Sequence, residues 1–147
     1  KAAQGRLGLL GSVAGRVGTP MTSPYNASKF AINGLAESVY HELDDCGVSL
    51  TCINPGFVES EIRSVNNQGE YTGRPDPVPG KYVMSADKAA RQMVDALYHR
   101  KPELIVTLSG KMLVWLNRFF PGLFRRIIRR QTRGKLGEFE KFRRNPQ

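Results

Sequence analysis

Strand-like and helix-like segments alternate along this chain, and that alternation limits its fold more than any other feature. Residues 48–53 indicate one short buried strand, and residues 103–108 indicate another. Strands separated by helices pair in parallel through right-handed crossovers, and a parallel sheet needs both faces covered. The sequence therefore predicts an α/β fold. A helix from Ser85 towards Arg100 would bury Ala89, Met93, Val94 and Leu97.

An earlier helix is predicted to begin near Ser23 and to end before Gly47. The Ser23 hydroxyl can cap it, and Pro24 suits the first helical position, where the backbone N–H needs no partner. Gly47 is a typical stop. Apolar residues recur in this helix at the spacing of one buried stripe: Ile32, Leu35, Ala36, Val39 and Leu43.

Tyr25 and Lys29 lie four residues apart in the first turns of that helix, so their side chains share one face. An ammonium group beside a phenol favours the phenolate form. Such a pair can exchange a proton with an alcohol or a carbonyl compound. The spacing alone is common, however, and an exposed tyrosine packed on a lysine stem would produce it equally well.

Three sequence blocks, one of which contains Tyr25 and Lys29, indicate more than the four-residue spacing alone. They are GSVAGRVG at residues 11–18, YNASKFA at residues 25–31 and NPGFV at residues 54–58. In this order and at these separations, the chain from about Gly5 to Ser109 resembles the short-chain dehydrogenases/reductases. The resemblance implies the C-terminal part of a doubly wound parallel-sheet domain of the Rossmann type.

The resemblance also implies catalytic roles for three residues. Ser12 matches the serine that hydrogen-bonds the substrate oxygen, and Tyr25 matches the general acid/base. Lys29 matches the lysine that activates this tyrosine and holds the nicotinamide ribose. The expected activity is interconversion of an alcohol and a carbonyl by hydride transfer with NAD or NADP, and Tyr25 and Lys29 would both contact that cofactor.

Further cofactor contacts are implied after the second strand. Pro55 and Gly56 match the turn that passes the nicotinamide, and Val58 would offer its backbone to the carboxamide. Ser60 stands where the family usually has a threonine near the cofactor. The resemblance also implies a homo-oligomer in the intact protein and a small-molecule alcohol or ketone as substrate. Which coenzyme, which substrate and which direction of reaction remain open.

The nucleotide-binding fingerprint of such enzymes is absent from the 147 residues. Gly11, Gly15 and Gly18 do not fit G-x-G-x-x-G, and they do not lead from a strand directly into a helix. We therefore expect residues 1–110 to be the C-terminal half of a Rossmann-type domain, without its nucleotide-binding half. The chain alone is then expected to be inactive.

The excess of positive over negative charge lies entirely in the tail. Residues 1–110 hold 11 Lys/Arg and 11 Asp/Glu, whereas residues 111–147 hold 11 Lys/Arg against two glutamates. The whole formal charge of +9 therefore belongs to residues 111–147. We treat this segment as a separate basic, amphipathic helical tail.

The tail pattern predicts two short helices, of which the second starts at Pro121. An apolar face opposite an arginine-rich face is typical of a helix that lies in an anionic membrane interface, here over residues 111–130. Asn117 and Gly122 interrupt the apolar stretch, which is shorter than a membrane span needs. The two faces of the second helix carry Phe120, Leu123, Phe124, Ile127 and Ile128 on one side, and Arg125, Arg126, Arg129 and Arg130 on the other.

Other interpretations of the tail stay open. Its apolar face could cover the substrate pocket or meet a second subunit. Nucleic-acid binding is disfavoured, because bulky aliphatic residues rather than stacking aromatics separate the arginines. A membrane location would suit a lipophilic substrate.

Two further functions compete with an oxidoreductase: a non-catalytic nucleotide-binding sensor or scaffold, and a module that binds a membrane or a partner through the tail. The complete set of Ser12, Tyr25 and Lys29 favours the enzyme, because a non-catalytic relative has little need of all three.

Cysteine and histidine spacing predicts no metal site. Cys46 and Cys52 are six residues apart without a C-x-x-C motif, and His41 and His99 fall in helices at no ligand spacing. Two free thiols fit a reducing compartment. We expect a cytoplasmic protein, peripheral on a membrane surface if the tail binds lipid.

Overall fold

The computed structural model describes residues 4–66, 68–73 and 78–144. Its sheet has three parallel strands, which lie side by side in their order along the sequence. Gly5 pairs with Val48 at one end of the first ladder, and Leu10 pairs with Ile53 at the other. The predicted parallel α/β fold is confirmed. The strands are β1 (Gly5–Leu10), β2 (Val48–Asn54) and β3 (Glu103–Ile105).

Helices separate the strands and then follow the last one, as the sequence predicts. They are α1 (Ser23–Leu43), α2 (Ala86–Tyr98), α3 (Leu108–Phe119) and α4 (Pro121–Arg144). Short 3-10 turns occur at Val13–Gly15, Asp44–Cys46, Glu61–Ser64 and Gly80–Tyr82.

The core consists of two layers, one on each face of the sheet. On one face, Ala36 of α1 packs with Leu50 and Cys52 of β2. On the other face, Ala89 of α2 packs with Ile53 and Val106. Alternate residues of β2 therefore enter opposite layers, as the period of two in a strand requires. Both faces of the parallel sheet are covered, which a parallel sheet needs.

The ends of α1 differ in detail from the prediction. Ser23 is the first helical residue rather than the residue before the helix, and Asn26 N donates to Thr22 O at 2.8 Å. Gly47 stops the segment as predicted, with a left-handed φ of 71°. A 3-10 turn separates it from the last residue of α1.

Two apolar residues were assigned to the wrong face. Leu35 is 54% exposed in α1, and Val94 is 65% exposed in α2. Ala36, which the stripe includes, and Ala96, which the prediction omits, are both buried. The small side chain of Ala96 contributes little hydrophobicity, so the apolar pattern alone does not identify it.

The third strand is shorter than predicted. The segment 103–108 was expected to be strand throughout, but β3 ends at Ile105. The Thr107 hydroxyl accepts a hydrogen bond from Gly110 N at 3.2 Å and caps α3, so Leu108 is already helical. Residues on both sides of the proposed division at Gly110 therefore belong to one helix.

The loop between β2 and α2 contains only 3-10 turns and two isolated bridges among its described residues. Val58 pairs with Met84, and Val65 pairs with Tyr71. Residues 74–77 of that loop lie outside the described part. Pro121 begins α4 as predicted. Within the described residues, no helix has the length and apolar character needed to cross a membrane.

Candidate active site

Ser12 lies just beyond the carboxyl end of β1 and is buried. Its N–H donates to Asn54 Oδ1 at 2.9 Å, and its hydroxyl oxygen accepts from Ala14 N at 3.1 Å. The contact of its hydroxyl with Pro55 O is long, at 3.5 Å. Because that contact is weak, the hydroxyl proton can turn to a better acceptor.

Tyr25 and Lys29 occupy the first turns of α1, as predicted. Lys29 Nζ lies 5.8 Å from the centroid of the Tyr25 ring. The same ammonium donates to Leu10 O at 3.2 Å, so it reaches the end of β1 two residues before Ser12. Tyr25 is 50% exposed, and its ring is therefore accessible to another molecule.

Pro55 and Gly56 follow the carboxyl end of β2, beside the Ser12 segment. Val13 N donates to Pro55 O at 2.9 Å, which joins the two segments directly. A Cβ added at Gly56 would overlap the Thr107 side chain at the start of α3. This turn is thus fixed between Ser12 and α3, at the edge where ligands bind in open parallel sheets.

Val58 and Ser60 have local structural contacts. Met84 N donates to Phe57 O and Glu59 N donates to Met84 O, both at 2.9 Å, so the residues on either side of Val58 form the bridge to Met84. The Ser60 hydroxyl accepts from Ile62 N at 3.2 Å and caps a 3-10 turn. Contact of either residue with a cofactor stays a prediction.

Two buried asparagines that the sequence analysis did not single out lie behind these residues. Asn54 Nδ2 donates to Asn33 Oδ1 at 2.9 Å, and Asn33 Nδ2 donates to Asn54 Oδ1 at 3.2 Å. Asn33 Nδ2 also donates to Lys29 O at 3.0 Å. The amide pair therefore joins the backbone of Ser12 to that of Lys29. The sequence does carry a signal for this pair. One asparagine lies on the buried side of an amphipathic helix, and the other lies at the end of a buried strand.

An ionic group extends this network to the surface. Asn54 Nδ2 donates to Glu103 Oε1 at 3.0 Å, and Arg16 Nε donates to the same oxygen at 2.9 Å. Arg16 also pairs with Glu37 at 2.7 Å. Burial opposes the charged form of Arg16, but its bond to Glu37 and the charge of Glu103 leave its pKa raised. The guanidinium therefore stays charged and holds the loop after Ser12 to α1 and β3.

Two surface grooves of about 460 Å³ each lie elsewhere. One runs between Pro20 and α4, and the other between Met84 and α3. Neither is lined by Ser12, Tyr25 or Lys29. The candidate site is therefore separate from both grooves.

No cluster of three potential metal ligands occurs among the residues that the structure describes. Cys46 is exposed and Cys52 is buried, and both are free thiols. Burial raises the pKa of the Cys52 thiol, so it is a poor nucleophile at neutral pH. The site chemistry therefore rests on hydroxyl, amide and ammonium groups.

Comparison with known proteins shows the family of the chain. A family model described as "short chain dehydrogenase" matches residues 1–71. Hydroxysteroid 11-beta-dehydrogenase 1-like protein A of Xenopus laevis is 32% identical over 130 residues, which cover 85% of this chain and 41% of that protein. The chain belongs to the short-chain dehydrogenase/reductase family.

Another member of this family, the dehydrogenase/reductase SDR family protein 7-like of Drosophila melanogaster, is 26% identical over 127 residues. That match covers 84% of this chain and 39% of the relative. The chain thus spans about two fifths of the length of these curated short-chain dehydrogenases/reductases.

Solved structures show the same fold. A short chain dehydrogenase from Burkholderia cenocepacia in complex with NADP aligns with a TM-score of 0.65 at 18% identity. The alignment covers 81% of this chain and 45% of that one. A putative short-chain dehydrogenase from Novosphingobium aromaticivorans aligns over 97% of this chain, with a TM-score of 0.58 at 18% identity. The Rossmann-type fold class predicted from the sequence is confirmed.

Proposed function

We propose that this short-chain dehydrogenase/reductase chain provides the proton-transfer part of an NAD(P)-dependent oxidoreductase that interconverts an alcohol and a carbonyl. The supporting observation is the position of the Lys29 ammonium, beside the Tyr25 ring and bonded to the end of β1. Ser12 follows that strand end. The next residue, Val13, donates its N–H to the carbonyl of Pro55 in the Pro55–Gly56 turn. These groups share the edge of the sheet where a ligand can reach them.

The side chains available at this edge suit reduction of a carbonyl. The Ser12 and Tyr25 hydroxyls would donate to the carbonyl oxygen and stabilise the negative charge that develops on it. Tyr25 would then transfer its proton to that oxygen, and the reverse transfer would serve alcohol oxidation. The Lys29 ammonium, which lies beside the Tyr25 ring, would hold the phenol side chain in place during the transfer.

The donors fit one end of a nicotinamide dinucleotide. The Lys29 ammonium and the Tyr25 hydroxyl can hydrogen-bond the hydroxyls of a ribose. When bound, NAD or NADP would supply or accept the hydride. The chain has no G-x-G-x-x-G fingerprint for the pyrophosphate. We therefore propose that turnover requires sequence beyond these 147 residues, and that the chain alone is inactive.

A small apolar ketone or alcohol is the substrate class that we propose. Phe57 follows the Pro55–Gly56 turn and is 45% exposed, and Met21 precedes Tyr25 and is 57% exposed. Apolar side chains on both segments would contact the body of such a substrate while the hydroxyls contact its oxygen.

One assay distinguishes an oxidoreductase from a non-catalytic nucleotide-binding sensor. The protein, expressed from its complete coding sequence, is mixed with NADH or NADPH and a panel of apolar ketones, and absorbance of the reduced coenzyme is followed. We expect a decrease that requires both a ketone and the protein. Coenzyme binding without any ketone-dependent decrease would instead support a non-catalytic sensor or scaffold.

A further inference from the structure

A continuous row of exposed apolar side chains runs along α3, and its first members, Leu108 and Met112, border the groove between Met84 and α3. Leu108, Met112, Trp115 and Phe119 recur at intervals of four, three and four residues, which places them on one line along the helix. They are 72%, 65%, 55% and 59% exposed. A surface helix normally turns such a row inward, but each of these four side chains keeps more than half of its surface exposed within the described part of the chain.

The row continues onto α4. The Trp115 ring lies 5.5 Å, centroid to centroid, from the rings of both Phe119 and Phe120, which join the two helices. Leu123 and Ile127 extend the exposed surface along α4. Phe124, by contrast, is only 4% exposed, so α4 already uses a different face to pack. We call the exposed row of α3 and α4 the amphipathic patch.

Basic residues border this patch on both helices. Lys111 and Arg118 lie four residues before and three residues after Trp115, so they are its neighbours on the helix surface. Arg126 and Arg130 each lie three residues after an apolar member of the patch on α4. All four cations are exposed. The sequence contains no Asp or Glu from residue 104 to residue 137.

The combination of an apolar row and bordering cations selects among partners. A second copy of this surface would bring like charges together, since it carries no acidic residues to pair with them. A nucleic acid would neutralise the cations but leave the apolar row in water. The surface of an anionic bilayer satisfies both requirements, because acyl chains accept the apolar side chains and acidic headgroups pair with the cations.

We propose that the amphipathic patch docks α3 and α4 in the interface of a bilayer that contains anionic phospholipid. This proposal does not depend on the proposed oxidoreductase activity. Gly110 at the start of α3 packs closely against Val13, next to Ser12. Docking would therefore hold the candidate site close to the membrane surface.

Trp115 is the only tryptophan of the chain and lies in the middle of the patch, so its fluorescence tests the proposal directly. The chain is titrated with phosphatidylcholine vesicles, and with vesicles that also contain phosphatidylserine. We expect a blue shift of Trp115 emission with the second type, quenching by brominated acyl chains, and release at high salt. Flotation with these vesicles without a change in Trp115 emission would overturn the proposal, because another surface would then bind the lipid.

Matched variants distinguish binding through the patch from nonspecific hydrophobic binding to vesicles. Met112→Ser with Phe119→Ser should weaken vesicle binding by about tenfold or more, whereas Ile62→Ser with Tyr71→Ser, which alters exposed apolar residues elsewhere, should not. Equal weakening by both pairs would contradict the proposal. Far-UV circular dichroism checks that every variant keeps its helices.

A second set of variants tests the charges. Arg126→Gln with Arg130→Gln should weaken binding by about tenfold or more. Arg91→Gln with Arg100→Gln removes two exposed charges from α2 and the residues just after it, away from the patch, and should have little effect. Two other outcomes would overturn the proposal: a concentration-dependent blue shift without vesicles, which would indicate self-association through the patch, and a shift with RNA but not with vesicles.

Discussion

Asn54 has no solvent exposure, and its amide makes hydrogen bonds from both ends. The oxygen accepts from Ser12 N and Asn33, while the nitrogen donates to Asn33 and Glu103. Only an amide supplies donors and acceptors to these partners together, because a carboxylate lacks the donor and leucine lacks both. The position of Ser12 therefore depends on a residue that would never touch the substrate.

Asn54→Ala should lower the free energy of unfolding by about 2–4 kcal/mol, because several buried polar groups lose their partner at once. Asn117→Ala is the matched control. Asn117 is only half-buried, and its one described bond, to Arg16 O, is 3.5 Å long. We expect the control to cost less than about 1 kcal/mol. Urea unfolding followed by circular dichroism measures both, and equal losses would contradict the role given to Asn54.

The sequence could not reveal this network in advance. The partners of Asn54 are 21 residues away at Asn33, 42 at Ser12 and 49 at Glu103. No local pattern encodes contacts at such separations. Tyr25 and Lys29, in contrast, are one helical turn apart, so their proximity followed from the spacing alone.

Among the elements, α1 was the easiest to predict and the start of α3 was the hardest. Pro24 and Gly47 mark the limits of the first helical segment, and each acts through its own backbone preference. The residues from Leu104 to Leu108 are apolar or β-branched throughout, which is equally compatible with strand and helix. The Thr107 hydroxyl caps α3 and so marks where the helix begins, and this hydrogen bond is visible only in the structure.

The packing of α3 on the candidate site can be tested at two helical glycines. A Cβ at Gly110 would lie 2.6 Å from Val13 Cγ2 and 2.9 Å from Thr107 Oγ1, so Gly110→Ala should destabilise the protein by about 1–3 kcal/mol. A Cβ at Gly122, in α4, would meet nothing within 4 Å. Gly122→Ala should leave the melting temperature unchanged or slightly raised. A similar decrease for both variants would show that α3 does not pack as described.

For the whole molecule, the three sequence blocks predicted the family, and the alternation of strands with helices predicted a parallel sheet. The carboxyl ends of β1 and β2 meet because parallel strands end at the same edge, so Ser12 and Pro55 had to be neighbours once the topology was known. The outward direction of the apolar row on α3 was not predictable, since helical periodicity shows that a stripe exists but not what covers it.

The central claim is that Tyr25 transfers the proton. Its most direct test compares Tyr25→Phe with Tyr98→Phe, an exposed tyrosine at the end of α2, in the protein expressed from its complete coding sequence. Ketone-dependent oxidation of NADH or NADPH is measured together with coenzyme binding. We predict that Tyr25→Phe lowers kcat by at least about 10²-fold and still binds coenzyme, while Tyr98→Phe retains full activity. A Tyr25→Phe variant that turns over at the native rate would contradict the claim.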